Sequence, residues 1–222
     1  MTLQWLFHTY QRRLLQAMFE HPLDSVYISE LARRAGVDPG NTKRYLEKFG
    51  EFGIVKLSRQ GRTTIVTANL ASPEMKKIFE LYEIDRTKEY LADHWKQLAG
   101  ITDAIAALTH EIPDIRLVVL FGQNALELDQ TQRVNLGFVI GAERSVPEIK
   151  GQIAERLERS RFPLHANLVF RSVGEADCAW KNGGVPGAEL WQTRIVLFGE
   201  DYFWRMVARH GAPVNAGAPE RG

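Results

Sequence analysis

The feature that most constrains this chain is a pair of apolar runs in its second half. Ile115, Leu117, Val118, Val119, Leu120 and Phe121 form a near-continuous stretch of strand-forming residues that stops at Gly122, and Val134 to Ile140 is a second such stretch. Length, β-branched content and the glycine stop read as two buried strands joined by a glycine corner and a polar loop. Pro147 to Arg159 follows with Ile149, Ile153 and Leu157 on one helical face, and Pro163 to Phe170 is a third strand. A helix between strands that can run parallel predicts an α/β sheet.

The first seventy residues have a different grammar. Leu6, Phe7, Tyr10, Leu14, Leu15, Met18 and Phe19 make one stripe of an amphipathic helix ended near Pro22. In the segment ISELARRAGV the expected helix cap is Ser29, and Gly36 is the glycine that closes the helix. Asp38 is expected to cap a third helix, with Pro39 in its first turn, Leu46 and Phe49 inward, and Asn41, Lys43, Arg44 and Lys48 outward. Ile54 to Arg59 and Thr63 to Thr67 are predicted strands around the tight turn Gln60-Gly61-Arg62.

Helix, helix, turn, helix and hairpin resemble a winged helix-turn-helix domain, carried by ISELARRAGVDPGNTKRYLEKFGEFGIV and by SRQGRTT for the wing. The resemblance implies binding to double-stranded DNA. Pro39, Gly40, Asn41, Lys43 and Arg44 would lie in the major groove, Lys48 on a phosphate, and Arg59 and Arg62 at the flanking backbone or minor groove. Asparagine pairs with adenine through two hydrogen bonds and arginine with guanine, which gives Asn41 and Arg44 the base-reading roles. A three-helix module serving protein contacts is the plainer alternative.

The order strand, glycine, polar segment, strand resembles the nucleotidyltransferase domain of the DNA polymerase β superfamily, in particular its minimal prokaryotic members. In that family a Gly-Ser holds the nucleotide phosphates, and carboxylates on the second and a later strand hold magnesium. Here the pair is Gly122-Gln123, and the carboxylate positions fall on Arg133, Asn135 and Asn167. Magnesium requires carboxylate oxygens, so the resemblance implies a domain without metal, cofactor or catalytic residues, in which Gly122 and Gln123 remain as a nucleotide-binding remnant. Glu127 and Asp129 in the intervening loop are the substitutes that would reverse this.

Between the two lies a helical stretch from Ser72 to Ile112. Leu91, Trp95, Leu98, Ile101, Ile105, Leu108 and Ile112 form a narrow seam in it, and Gly100 marks a bend. The seam suits either a second copy of the chain or the sheet of its own C-terminal domain.

The charge balance is +1 over the whole chain, but residues 1–72 hold 10 Lys and Arg against 6 Asp and Glu, which places the basic share where nucleic acid is expected. No apolar run is long enough for a membrane span, and the opening MTLQWLFHTYQRR lacks signal-peptide order, so a cytoplasmic protein is expected. Cys178 is the single cysteine and is expected to be a small packed residue, and the six histidines show no metal-ligand spacing. Lys181 to Gly187 is a loop with only weak likeness to a phosphate cradle.

The reading is therefore an α+β protein of two domains. Residues 1–71 are a winged helix-turn-helix, 72–112 a helical linker and first helix of the C-terminal domain, 113–210 a nucleotidyltransferase-like mixed sheet with flanking helices, and 211–222 a disordered tail. The expected function is a DNA-binding transcriptional regulator acting as a homodimer, with a nucleotide or small-molecule effector as a further partner. The rival is an enzyme transferring a nucleotidyl group to a protein or nucleic acid. A third reading is an interaction module of a toxin and antitoxin system.

Overall fold

The computed structural model describes residues 7–126, 133–141, 146–159, 165–182 and 187–211; Glu127, Asp129, most of the Lys181 to Gly187 loop and the tail from Ala212 lie outside them. The chain is mixed α+β with small sheets. It divides into two compact units, Met1–Asp85 and Arg86–Gly222.

The first unit runs α1 (Thr9–Glu20), β1 (Ser25–Tyr27), α2 (Ile28–Ala35), α3 (Pro39–Glu51), β2 (Val55–Gln60), β3 (Thr63–Ala68) and the first part of α4 (Pro73–Asp93). Its sheet has the order β1-β3-β2, antiparallel throughout, with Tyr27 opposite Ile65 and Gln60 opposite Thr63. That last pairing leaves Gly61 and Arg62 as a two-residue turn, which Gly61 permits with φ +62°. Leu14, Leu15, Leu31, Leu46 and Val66 are buried at the centre. Phe19 of α1 stacks on Tyr82 at 5.3 Å and meets Phe79 edge-on at 5.7 Å, which fixes the start of α4 to this core.

Local chemistry sets the ends of these helices. Gly36 closes α2 in the left-handed region, φ +61°, with its N–H donated to the carbonyls of the preceding turn. Asp38 caps α3 by accepting from the Asn41 N–H at 2.9 Å, and Pro39 follows where no N–H is needed. The expected Ser29 cap is corrected. The strand β1 runs straight into α2, so the helix starts at Ile28 and the cap position falls on Tyr27, which is extended and makes no side-chain cap bond.

In the second unit, the later part of α4 is followed by α5 (Trp95–Leu98), α6 (Ile101–Glu111), β4 (Ile115–Phe121), α7 (Gln123–Leu126), β5 (Val134–Ile140), α8 (Val146–Arg159), β6 (Ala166–Ser172), α9 (Val173–Lys181), α10 (Gly187–Thr193), β7 (Ile195–Phe198) and α11 (Glu200–His210). The four strands are ordered β6-β5-β4-β7: β4 is antiparallel to β5 and β7, and β5 is parallel to β6. The parallel pair is the one joined through α8, as a helical crossover requires.

The helical stretch expected from Ser72 to Ile112 is broken at His94 and again at Gly100, which takes φ +80° ahead of α6. The seam belongs to the core of its own unit. Leu98, Ile101, Ile105, Leu108 and Ile112 are buried with Val118, Leu120, Leu136, Phe138, Ile149 and Ile153 on one face of the sheet. Leu91 is packed at its edge, while Trp95 is 63% exposed. Cys178 is corrected as well. It lies on the exposed side of α9, where the Asn182 side-chain amide reaches its sulfur at 3.3 Å, because the inward positions of that helix are Ala176, Ala179 and Trp180.

Candidate functional site

The exposed side of the first unit gathers the residues singled out for DNA. Thr42, Leu46 and Phe49 turn α3 inward, and this leaves Lys43, Arg44 and Lys48 exposed and Asn41 half-buried. Pro39 and Gly40 are exposed in the first turn. A Cβ on Gly40 would stand 3.2 Å from Asp38 Oδ1, so the small residue also leaves room for the cap. The hairpin is held against α3 at Gly50, where an added Cβ would come within 3.2 Å of Leu57. Arg59 and Arg62 are exposed on this hairpin, and so is Lys56, which the sequence reading passed over.

Charge pairing separates these cations from Arg33 and Arg34 of α2. Arg33 and Arg34 both bond Glu30, at 2.8 and 2.9 Å, and Arg34 also bonds Asp24 at 2.8 Å. Those hydrogen bonds hold the Glu30 carboxyl down at about 2. Lys43 has Glu47 at 3.9 Å. Arg44, Lys48, Lys56, Arg59 and Arg62 form no ion pair among the described residues. Arg12 and Arg13 of α1 form none either, so the uncompensated positive charge lies along α3 and the hairpin and also on α1.

The second polar site is the corner after β4. Asn135 is opposite Phe121 on one side and opposite Asn167 on the other, and the Asn167 side-chain amide donates to Asn135 Oδ1 at 3.4 Å. Arg133 is exposed just before β5, and its carbonyl accepts from the Asn124 side chain at 3.1 Å. The Gly122 N–H donates to Thr193 Oγ1 at 2.7 Å, and that hydroxyl donates to the Glu189 carbonyl at 2.7 Å. A Cβ on Gly122 would stand 3.0 Å from both Asn135 Nδ2 and Glu189 Oε1, so glycine is what lets a carboxylate from α10 approach the corner. The Tyr90 hydroxyl donates to the Ala125 carbonyl and steadies the single turn of α7; burial pushes its pKa up to about 12, so it stays a donor.

The structure thus brings Gly122, Asn135 and Asn167 together and adds Glu189 and Thr193, about seventy residues away in sequence, which no local pattern announces. Gln123 is exposed on α7. The Gly122 amide, expected to be part of a phosphate cradle, is already bonded to Thr193, and the Glu189 carboxyl group lies beside the same corner. Among the described residues no three His, Cys, Asp or Glu side chains are placed to hold a metal ion.

Comparison with protein-family models, with curated proteins and with solved structures gives no match. Among the described residues no helix is long and apolar enough to cross a membrane.

Proposed function

We propose that the protein is a sequence-specific DNA-binding transcriptional regulator. The observation that carries this is the run α1, β1, α2, α3, β2, β3, which is the order of a winged helix-turn-helix, with its uncompensated cations on the third helix and the hairpin. In that arrangement Asn41, Lys43 and Arg44 enter the major groove, Lys48 meets a phosphate, and Lys56, Arg59 and Arg62 reach the flanking backbone.

The second unit is read as a nucleotidyltransferase-like domain that has lost metal catalysis and serves in sensing or assembly. Its antiparallel β4-β5 pair and parallel β5-β6 pair support the frame, and the amides of Asn135 and Asn167 support the loss. The enzyme reading has no such support: neither amide supplies the anionic oxygen that phosphoryl transfer demands of a magnesium ligand. A regulator of this kind acts in the cytoplasm and as a homodimer, because one such module covers too few base pairs to stand out against a genome. Two recognition helices then sit about 34 Å or a multiple of it apart, on an inverted repeat. The buried seam of α5 and α6 is not the dimer interface.

Selection of bound duplexes from a randomised pool at low salt tests the reading. The expected product is an enriched inverted repeat whose binding weakens steeply with salt. A pool that emerges unenriched overturns it.

A further inference from the structure

The two faces of the second unit's sheet are packed differently. One carries large side chains against α6 and α8, among them Val118, Leu120, Leu136 and Phe138. The other faces α9, α10 and α11, and encloses a half-open cavity of about 50 Å³. Its walls include Val119 and Gly137 from the sheet, Ala176, Ala179 and Trp180 from α9, and Met206 from α11. Three of those six are glycine or alanine.

Enlarging Gly137 would crowd its neighbours, since a Cβ there would stand 3.1 Å from the Phe121 ring and 3.2 Å from the Val119 side chain. Trp180 is fixed, its indole N–H donated to the Gly211 carbonyl at 2.8 Å. Lining atoms without neighbours forfeit dispersion contacts, which a small apolar group entering the space would restore.

The lining has one charged member. Val119, Gly137 and Val169 form one row across the strands, and Val139 and Arg171 lie in the next row on the same face. Arg171 therefore sits at the β6 edge of the cavity, half-buried. One guanidinium nitrogen donates to the Phe170 carbonyl at 3.1 Å, and no carboxylate pairs with it among the described residues. Glu175, whose carboxyl feels Arg171, is taken up by the cap of α9, where it accepts from the Ser172 N–H at 2.8 Å.

We propose that this cavity binds a short-chain monocarboxylate, with the alkyl tail against Gly137, Ala176 and Ala179 and the carboxylate on Arg171. At about 10 to 15 Å³ for each water-sized group, the volume suits roughly three or four such groups, hence a tail of about two to four carbons. The claim stands on the cavity and its charged edge, so failure of the DNA selection leaves it in place.

The test is titration of the full chain with acetate, propionate, butyrate, valerate and hexanoate, and with 1-butanol, followed by calorimetry and by tryptophan fluorescence, which Trp180 reports. Affinity should rise about fourfold per methylene up to butyrate or valerate and then stop, because only carbons inside the cavity leave water. Butyrate should exceed 1-butanol at least tenfold. Arg171→Gln should bring the two level, and Ala179→Leu, which fills the space, should remove binding of both. No saturable binding, an affinity that climbs without limit along the series, or an unchanged Arg171→Gln would each overturn the proposal. If Ala179→Leu fails to fold by circular dichroism, the wild-type series and Arg171→Gln decide it alone.

Discussion

Asn135 and Asn167 face each other across the parallel β5-β6 pair, amide to amide at 3.4 Å, with the Glu189 carboxylate beside Gly122 at the same corner. Two neutral amides at this separation bond each other, whereas two carboxylates would repel unless a cation lay between them. The wild-type protein, given labelled nucleoside triphosphate with magnesium or manganese, is therefore expected to transfer nothing to itself, DNA or RNA. The double variant Asn135→Asp, Asn167→Asp should melt below wild type without metal. Divalent cation should then restore it by up to about 2.7 kcal/mol at a hundredfold excess over the dissociation constant. Metal-dependent melting of the wild type would show that a site exists without these substitutions.

Thr193 holds the Gly122 corner by a single hydroxyl that accepts from one segment and donates to another. Thr193→Val keeps the shape and leaves the buried Gly122 N–H without a partner, at a cost of about 1 to 3 kcal/mol in urea unfolding. Thr193→Ser keeps the hydroxyl and should lose much less. Equal losses in the two variants would mean that packing, and not the hydrogen bond, is what matters here.

How far the sequence reached follows from the range of each interaction. Caps and turns such as Gly36, Asp38 and Gly61 act over four residues, so their signal is local and the elements around them were legible. Apolar periodicity likewise revealed β4, β5 and α8. Ser29 misled because a cap assignment from composition does not see that β1 pairs with β3 up to Tyr27. Cys178 misled because burial preference says nothing about which side of a helix a given residue takes. Glu189 and Thr193 were invisible, since the contact that gives them meaning joins a helix to the glycine corner that follows β4, about seventy residues earlier. The cavity behind the sheet was equally so: Gly137, Ala176 and Ala179 are unremarkable until β5 and α9 are laid against each other.

The seam of α5 and α6 offers a clean test of where an apolar stripe belongs. Ile105 is 3% exposed, under the sheet of its own unit. Ile105→Glu places an unpaired carboxylate there and should destabilise the second unit by about 4 kcal/mol or more, seen as lost cooperative unfolding. A variant that stays folded while changing sedimentation from dimer to monomer would return the seam to an interface between copies.

Glu30 gives the first unit a pH dependence of defined sign. Hydrogen bonds from Arg33 and Arg34 hold its carboxyl at about 2, below the usual carboxylate value near 4.5. A carboxyl depressed by folding contributes stability that is present above its unfolded pKa and is lost as pH falls toward the folded one. Glu30→Gln should therefore lower the melting temperature most at neutral pH, and the gap from wild type should close between about pH 4.5 and 2. A gap that persists at the acid end would mean that the glutamate acts through packing alone.

Arg44 and Lys48 are both exposed cations on α3, one turn apart, yet the regulator reading gives them different work. Arg44 lies in the N-terminal half of the helix that enters the groove, where a guanidinium meets two acceptors of one guanine. Lys48 lies further along, toward the backbone. Arg44→Ala should cost about 1 to 3 kcal/mol on the selected site and flatten preference at one base pair. Lys48→Ala should weaken selected and random duplexes alike and reduce the slope of log affinity against log salt by about one. The informative measurement is the ratio of specific to non-specific affinity for each variant. It should fall for Arg44→Ala and hold for Lys48→Ala; equal ratios in both would mean that α3 touches DNA only through its charge and that sequence is read elsewhere.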